Sequence, residues 1–277
     1  TLGVPISGAA KSLSGAYLAA RQADVERDYR ISEQYYTRAL RQDPNNPALM
    51  EYLIMAHISL GQFAAASPVA QRLDAQQVDS QLVNMMQIAT GAAQGQYDDI
   101  LLRIDQGKGI GALIDSLLVA WAITGQGKMS DALAAFDSVA EKQGVEAFAR
   151  YHKALALAHA GDFESAAEIF EQTVDAGIRL TRRGVIAQIQ VLSQLDLGDQ
   201  AIAVLDRSFG ASLDPEISNL RQRLSADETL DFSIVRTPRE GLAEVFYSIA
   251  NILSADAEPD YTLFYTRIAE YLRPDHL

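Results

Sequence analysis

The sequence predicts an all-α solenoid built from stacked helical hairpins, and three features of its 277 residues carry that expectation. A Gly followed two residues later by an aromatic or Met recurs as Gly61-Gln62-Phe63, Gly95-Gln96-Tyr97, Gly127-Lys128-Met129 and Gly161-Asp162-Phe163, at intervals of 34, 32 and 34. In three of the four an Ala follows three residues further on, at Ala66, Ala132 and Ala166. Apolar residues make up 48%, enough to argue against disorder. A fixed period in this range marks units that cannot bury an apolar face alone and stack to do so.

Taken in order along the chain, the units place small and aromatic residues at recurring positions. The first has Ala20 on its opening helix, then Ser32, Tyr36 and Ala39, closed by Pro44 within Arg41-Gln42-Asp43-Pro44-Asn45-Asn46-Pro47. Ala120, Ala132 and Phe136 fill the fourth, and Ala154, Ala166 and Phe170 the fifth. A last unit supplies Phe246, Ile249, Ala250, Ala269 and Pro274. Small residues let paired helices approach closely, and the aromatic fills the gap between hairpins. On these residues the chain resembles the tetratricopeptide repeat family, whose consensus of about 34 residues runs from an aromatic, Leu and Gly on the first helix through Ala and Phe on the second to a closing Pro. The resemblance implies a right-handed α-solenoid of about seven hairpins. It divides the chain into a tail over 1–12, six repeats over 13–208, an irregular spacer over 209–238, and a further repeat over 239–277.

The departures from the pattern are specific. The third unit has Ile100 where Ala is expected, and Gly107-Lys108-Gly109-Ile110-Gly111 forces its second helix to be short. The sixth, about Arg182 to Ser208, keeps Ala201 but lacks the turn Gly in its usual place. Within the spacer, Asp214-Pro215-Glu216 reads as an N-cap with Pro at the first helical position, opening an extra helix to about Ser225. The last unit ends without a capping helix, so the array is expected to continue in the natural protein or to be covered by a partner.

Composition excludes several functions. With 23 Lys plus Arg against 36 Asp plus Glu, the formal charge is −13. Nucleic acid and anionic lipid, which draw their affinity from clustered cations, are excluded as partners. Cysteine is absent, which removes disulfides, thiolate metal sites and thiol nucleophiles. The richest apolar run, Leu113 to Ile123, is short and broken by Asp115, against the roughly 18 to 20 residues of a membrane helix. The chain is therefore expected to be soluble, with no direct membrane insertion. The opening Thr1 to Ser14 is small and apolar with one charge, Lys11. It is read as the small-residue N-terminus left by cleavage of an upstream secretory signal, placing the protein in the periplasm or otherwise outside the cytoplasm. A tag or truncation, and a cytoplasmic protein, leave the same trace.

No catalytic or metal-binding constellation emerges. His57, His152, His159 and His276 form no ligand motif, and seven residues separate His152 from His159, about 10 Å along one helix. Each is read as a surface or groove residue. The run Gly107 to Gly111 lacks the preceding strand and following Lys-Ser/Thr of a phosphate loop and is read as a flexible inter-repeat loop. The acidic pairs Asp98-Asp99 and Asp227-Glu228 are read as solvated. No cofactor is expected, and the chain is read as non-enzymatic. An all-α barrel enzyme with carboxylates converging across a cleft is a distant rival.

The resemblance also implies a binding surface, because family members bind extended peptides or helices along the first helices that line the concave side. In this register the inward positions include Tyr17 and Arg21, Met55, Met85, Leu117 and Trp121, Phe148 and Tyr151, then Arg183 and Gln190. The wall is apolar and carries the only Trp, which fits a peptide or helical segment of a protein partner. Curvature, the N-terminal tail or further repeats would instead make it core, and both readings stand. Arg179, Arg182 and Arg183 form the one concentration of positive charge. The expected function is a protein-interaction scaffold, with bacterial envelope assembly or secretion as its setting. A self-associating or purely structural solenoid arm is the alternative, so a homo-oligomer stays open.

Overall fold

The computed structural model describes residues 8–142, 144–175, 179–210, 213–256 and 259–275, and for 8–12 and 255–256 the backbone alone. Among these residues there are fifteen α-helices and no strand. Six hairpins come first: α1 (Gly8–Val25) with α2 (Tyr29–Gln42), α3 (Pro47–Ser59) with α4 (Phe63–Ala75), α5 (Gln81–Gln94) with α6 (Tyr97–Asp105), α7 (Ala112–Gly125) with α8 (Met129–Ala140), α9 (Glu146–His159) with α10 (Phe163–Asp175), and α11 (Arg182–Gln194) with α12 (Gly198–Phe209). Then follow α13 (Pro215–Ser225), α14 (Pro238–Asp256) and α15 (Pro259–Leu272). This is the all-α helical-repeat solenoid class. The chain forms two compact units, one of Thr1–Ile110 with Phe246–Leu277 and one of Gly111–Val245.

The hairpin turns explain the marker glycines. Gly61, Gly95, Gly127 and Gly161 have φ of 70°, 70°, 76° and 87°, the left-handed region in which a Cβ is strained. Each turn closes a bond back over the end of the first helix, as in Gln62 N–H to His57 O at 2.8 Å and Asp162 N–H to Leu157 O at 3.0 Å. The sixth hairpin, which lacks this Gly, builds the same turn with Asp196 at φ 59° and Leu197 N–H to Leu192 O at 3.0 Å. Asp tolerates that region better than most residues. Three of the first helices, α3, α5 and α11, start on side-chain caps: Asn46 accepts from Leu49 N–H, Ser80 from Val83 N–H and Thr181 from Gly184 N–H. Asp214 caps α13 in the same way, with Pro215 at its first position.

Packing within each unit follows the small and aromatic positions. Ala20, Ala39 and Ala66 with Tyr36 are buried in the first unit, and Ala120, Ala132, Ala154, Ala166 and Ala201 with Phe136 and Phe170 in the second. Ile100, bulky where Ala is expected, is accommodated by the opposing Gly91, where a Cβ would lie 3.2 Å from Ile100 Cγ1. The glycine run after α6 is not the free span its composition implies. Asn84 donates to Gly109 O at 2.9 Å and Gln81 to Ile110 O at 2.7 Å, while Arg103 grips Asp74 through two bonds of 2.9 and 3.1 Å and donates to Asn84. The network ties the loop to α5.

Two glycines of the second unit separate backbone from packing effects, since nothing lies within 4 Å of a Cβ added at either. Gly127→Ala is expected to destabilise by about 1 to 2 kcal/mol, the cost of a side chain in the left-handed region. Gly111, at φ 166°, sits in extended backbone open to any residue, and Gly111→Ala is expected to stay within about 0.5 kcal/mol of the parent. Urea denaturation at constant m-value measures both.

Candidate functional site

In the first unit two of the residues expected to face inward, Tyr17 and Arg21, meet at Tyr52, an aromatic with no signal of its own in the repeat pattern. Tyr52 on α3 stacks on Tyr36 with centroids 5.2 Å apart, meets Tyr17 at 6.3 Å, and carries the Arg21 guanidinium 4.8 Å above its ring. Arg21 pairs with Asp24 at 3.5 Å, and Asp24 also accepts from the buried Tyr36 hydroxyl. Burial and then Asp24 push that hydroxyl well above the usual tyrosine range. Met55 is partly covered and Met85 is buried.

The C-terminal helix packs against the first helices of this unit. α15 lies against α3 and α5, burying Phe264, Tyr265, Ile268, Ala269 and Leu272, a spacing that draws one apolar stripe along a helix. Tyr271 stacks on Phe63 with centroids 4.2 Å apart and planes 14° from parallel. Arg267 donates to the Ser59 carbonyl at 3.2 Å. At the other end Asp260 accepts from Tyr29 Oη at 2.7 Å and pairs with Arg27 at 3.3 Å.

In the second unit Leu117 and Trp121 on α7 are fully buried, while Phe148 and Tyr151 on α9 are partly covered. The Trp121 indole N–H donates to His152 Nδ1 at 3.0 Å, and its ring meets Phe136 edge-on at 5.7 Å. Gly241, on the first turn of α14, lies against the indole. A Cβ there would fall 2.2 to 2.5 Å from three ring carbons, so only glycine permits this approach. One turn on, the buried Glu244 accepts from Tyr151 Oη at 2.8 Å and from Arg183 Nε at 3.0 and 3.2 Å. Arg183, which the sequence puts both among the inward positions and in the basic cluster, is paired with Glu244, with its side chain 11% exposed.

A non-helical segment before α14 is held by α11. Gln190 Oε1 accepts from Ser233 N–H and its Nε2 donates to Ser233 Oγ, both at 2.9 Å. Ser193 Oγ accepts from Leu230 N–H at 2.8 Å, and Gln194 donates to Leu230 O at 2.6 Å. Side chains of a first helix here satisfy main-chain groups of a non-helical segment, the chemistry by which a peptide is gripped without regard to its sequence. Of this set the register picked out Gln190. Ser193, Gln194, Gly241 and Glu244 had no local signal.

The histidines depart from their expected places. His152 is wholly buried and His57, bonded through Nδ1 to Gln62 Oε1 at 2.8 Å, is nearly so, hence core rather than surface or groove. His276 and the tail residues 1–7 lie outside the described residues. Burial lowers the His152 imidazole to about 4, against a smaller upward pull from Glu244, so the ring is neutral and accepts at Nδ1. The half-buried His159 is also lowered, again chiefly by burial.

Two outcomes are expected from this geometry. Gly241→Ala should cost about 1 to 3 kcal/mol by forcing α14 off the indole, read as a lower urea midpoint and a changed Trp121 emission. The unfolded chain takes up a proton on His152 near pH 6.5 and the folded chain only near 4, so stability is lost as pH falls through that window. Between pH 7 and 5 this loss is about 2 kcal/mol. His152→Gln should remove it while leaving the His159 share, as urea titrations at the two pH values would show.

Residues 26–87 and 124–179 each match a family model described as tetratricopeptide repeat. The crystal structure of a tetratricopeptide repeat protein from Parabacteroides merdae superposes with a TM-score of 0.61 at 13% identity, over 94% of this chain and 99% of that one. No curated protein matches the chain significantly. Among the described residues no helix is long and apolar enough to cross a membrane. The left-handed hairpin turns, the buried Ala and aromatic positions and the two matched segments agree: the chain carries tetratricopeptide repeats over 26–87 and 124–179 within an all-α helical-repeat fold.

Proposed function

We propose that this protein is a non-enzymatic protein-interaction scaffold whose first-helix wall accepts a peptide or helical segment, with Tyr17, Arg21, Met55 and Met85 serving one unit and Leu117, Trp121, Phe148, Tyr151 and Arg183 the other. The supporting observation is that both walls already hold peptide-like parts of the same chain: α15 as a helix on α3 and α5, and residues 230–244 as a non-helical segment running into the start of α14. A wall that binds its own segment through an apolar stripe and main-chain hydrogen bonds has the chemistry to bind another.

The test uses a labelled peptide with the sequence of residues 259–275 and the full chain. Ile268→Asp, at a buried position of α15, should loosen the resident helix and raise peptide affinity by about tenfold over the parent; Tyr271→Ala, which removes the stack on Phe63, is the milder variant. Failure of both variants to take up the peptide while circular dichroism shows them folded would overturn the reading. Light scattering separates the self-associating alternative, in which a second copy supplies the helix.

A further inference from the structure

Outside these walls the second unit carries one cleft whose chemistry is unlike the rest of the molecule. It has a volume of about 530 Å³ and lies where α10 ends, α11 begins and α12 ends. Arg179, Arg182 and Arg207 line it above an apolar floor that includes Leu180, Val185 and Phe209. The cluster therefore differs from the one the sequence shows: Arg183 has gone to Glu244, and Arg207 has joined from α12.

The three arginines are held differently. Arg182 is fixed, donating to Asp214 at 2.7 and 3.2 Å and to Glu216 at 2.7 Å, with its guanidinium 5.5 Å from the Phe209 ring centre. Arg179 and Arg207 have no carboxylate or hydrogen-bond partner among the described residues, whereas Arg103, Arg221, Arg223 and Arg267 are each paired. In a chain of charge −13, two arginines without a carboxylate partner among the described residues line this one cleft. The positive end of the α11 dipole adds to their charge.

A neighbouring cleft of about 360 Å³ shares Val174, Gln188 and Arg207 but is edged by Glu168, Glu171 and Asp175. That acidic edge limits the length of any anion lying across the arginines. A long polyanion would meet repulsion one step beyond Arg207; a short acidic motif would not. We propose that the Arg179–Arg207 cleft docks a peptide segment of two or three adjacent Asp or Glu residues followed by an apolar residue, the acids on the arginines and the apolar side chain on Val185 and Phe209.

This inference rests on the scaffold reading but concerns a different surface, so the two fail separately. The probe is a fluorescein-labelled peptide Gly-Ser-Asp-Glu-Asp-Leu-Ser-Gly, compared by anisotropy with its Asn-Gln-Asn-Leu counterpart on the full chain in low salt. The acidic peptide should bind about tenfold tighter than the amide one. Arg207→Glu and Arg179→Glu should each weaken it about tenfold, while Arg41→Glu, the same charge change at an exposed position of α2, should leave affinity within about twofold. If Arg207→Glu unfolds the protein by circular dichroism, Arg207→Gln takes its place with the same direction of effect. Equal weakening by Arg41→Glu, equal affinity for the two peptides, or no binding of the acidic one would overturn the proposal, and uptake of the 259–275 peptide by the loosened variants would leave the groove reading standing.

Discussion

An array of helical hairpins has an apolar wall of first helices that cannot be left to water, and what covers that wall sets the rest of this structure. In each compact unit the cover comes from the C-terminal part of the chain. The first unit receives α15, with its stripe from Phe264 to Leu272. The second receives residues 230–245, whose Leu230, Ile234, Val235, Leu242, Ala243 and Val245 are buried. A wall meant for a ligand and a wall meant for core are chemically alike: apolar surface with a few placed polar groups. The break in repeat period after Phe209 thus marks where the chain stops extending the array and supplies segments that lie on it.

The polar contacts under α14 determine position more than they add stability. Desolvating a carboxylate and a guanidinium largely cancels their attraction, so the Arg183–Glu244 pair is weak support for stability in itself. Its consequence is register. Gly241 and Glu244 lie three residues apart on one helix face, and sliding α14 by one residue would press a side chain into the Trp121 indole and strand Glu244 away from Tyr151 and Arg183. Neutral His152, accepting from the indole, completes a buried polar line whose members each constrain the next.

Legibility in the sequence followed the range of the interaction. The hairpins were readable because a turn into the left-handed region nearly demands Gly and close helix pairs demand Ala, both local requirements repeated at a fixed spacing. Asp196 hid one turn by adopting the same φ without the marker residue, and Gly91 hid the compensation for Ile100 by facing it from another helix. The wall residues could be placed on a face, but their cover could not be foreseen. Glu244 looks like any acid in a helical stretch, and Gly241 like a weak point near a helix start, until α7, α9 and α11 are brought against them. The basic cluster was half legible for the same reason, since adjacent Arg182 and Arg183 point about 100° apart on a helix and go to different partners.

The two candidate surfaces differ in what they ask of a ligand. A segment tethered to the same chain competes at an effective concentration in the millimolar range for short flexible links, so a peptide approaching either wall must displace a resident already present at that level. Its apparent affinity is reduced by the fraction of time the wall stands empty. The arginine cleft shows no such resident among the described residues: Arg179 and Arg207 keep their charges unpaired there, and the desolvation of exposed guanidinium groups and repulsion from the edge of Glu168, Glu171 and Asp175 oppose binding. If the proposed sites bind as argued, weak, salt-sensitive and rapid association would belong to the cleft, and slow, displacement-limited association to the walls.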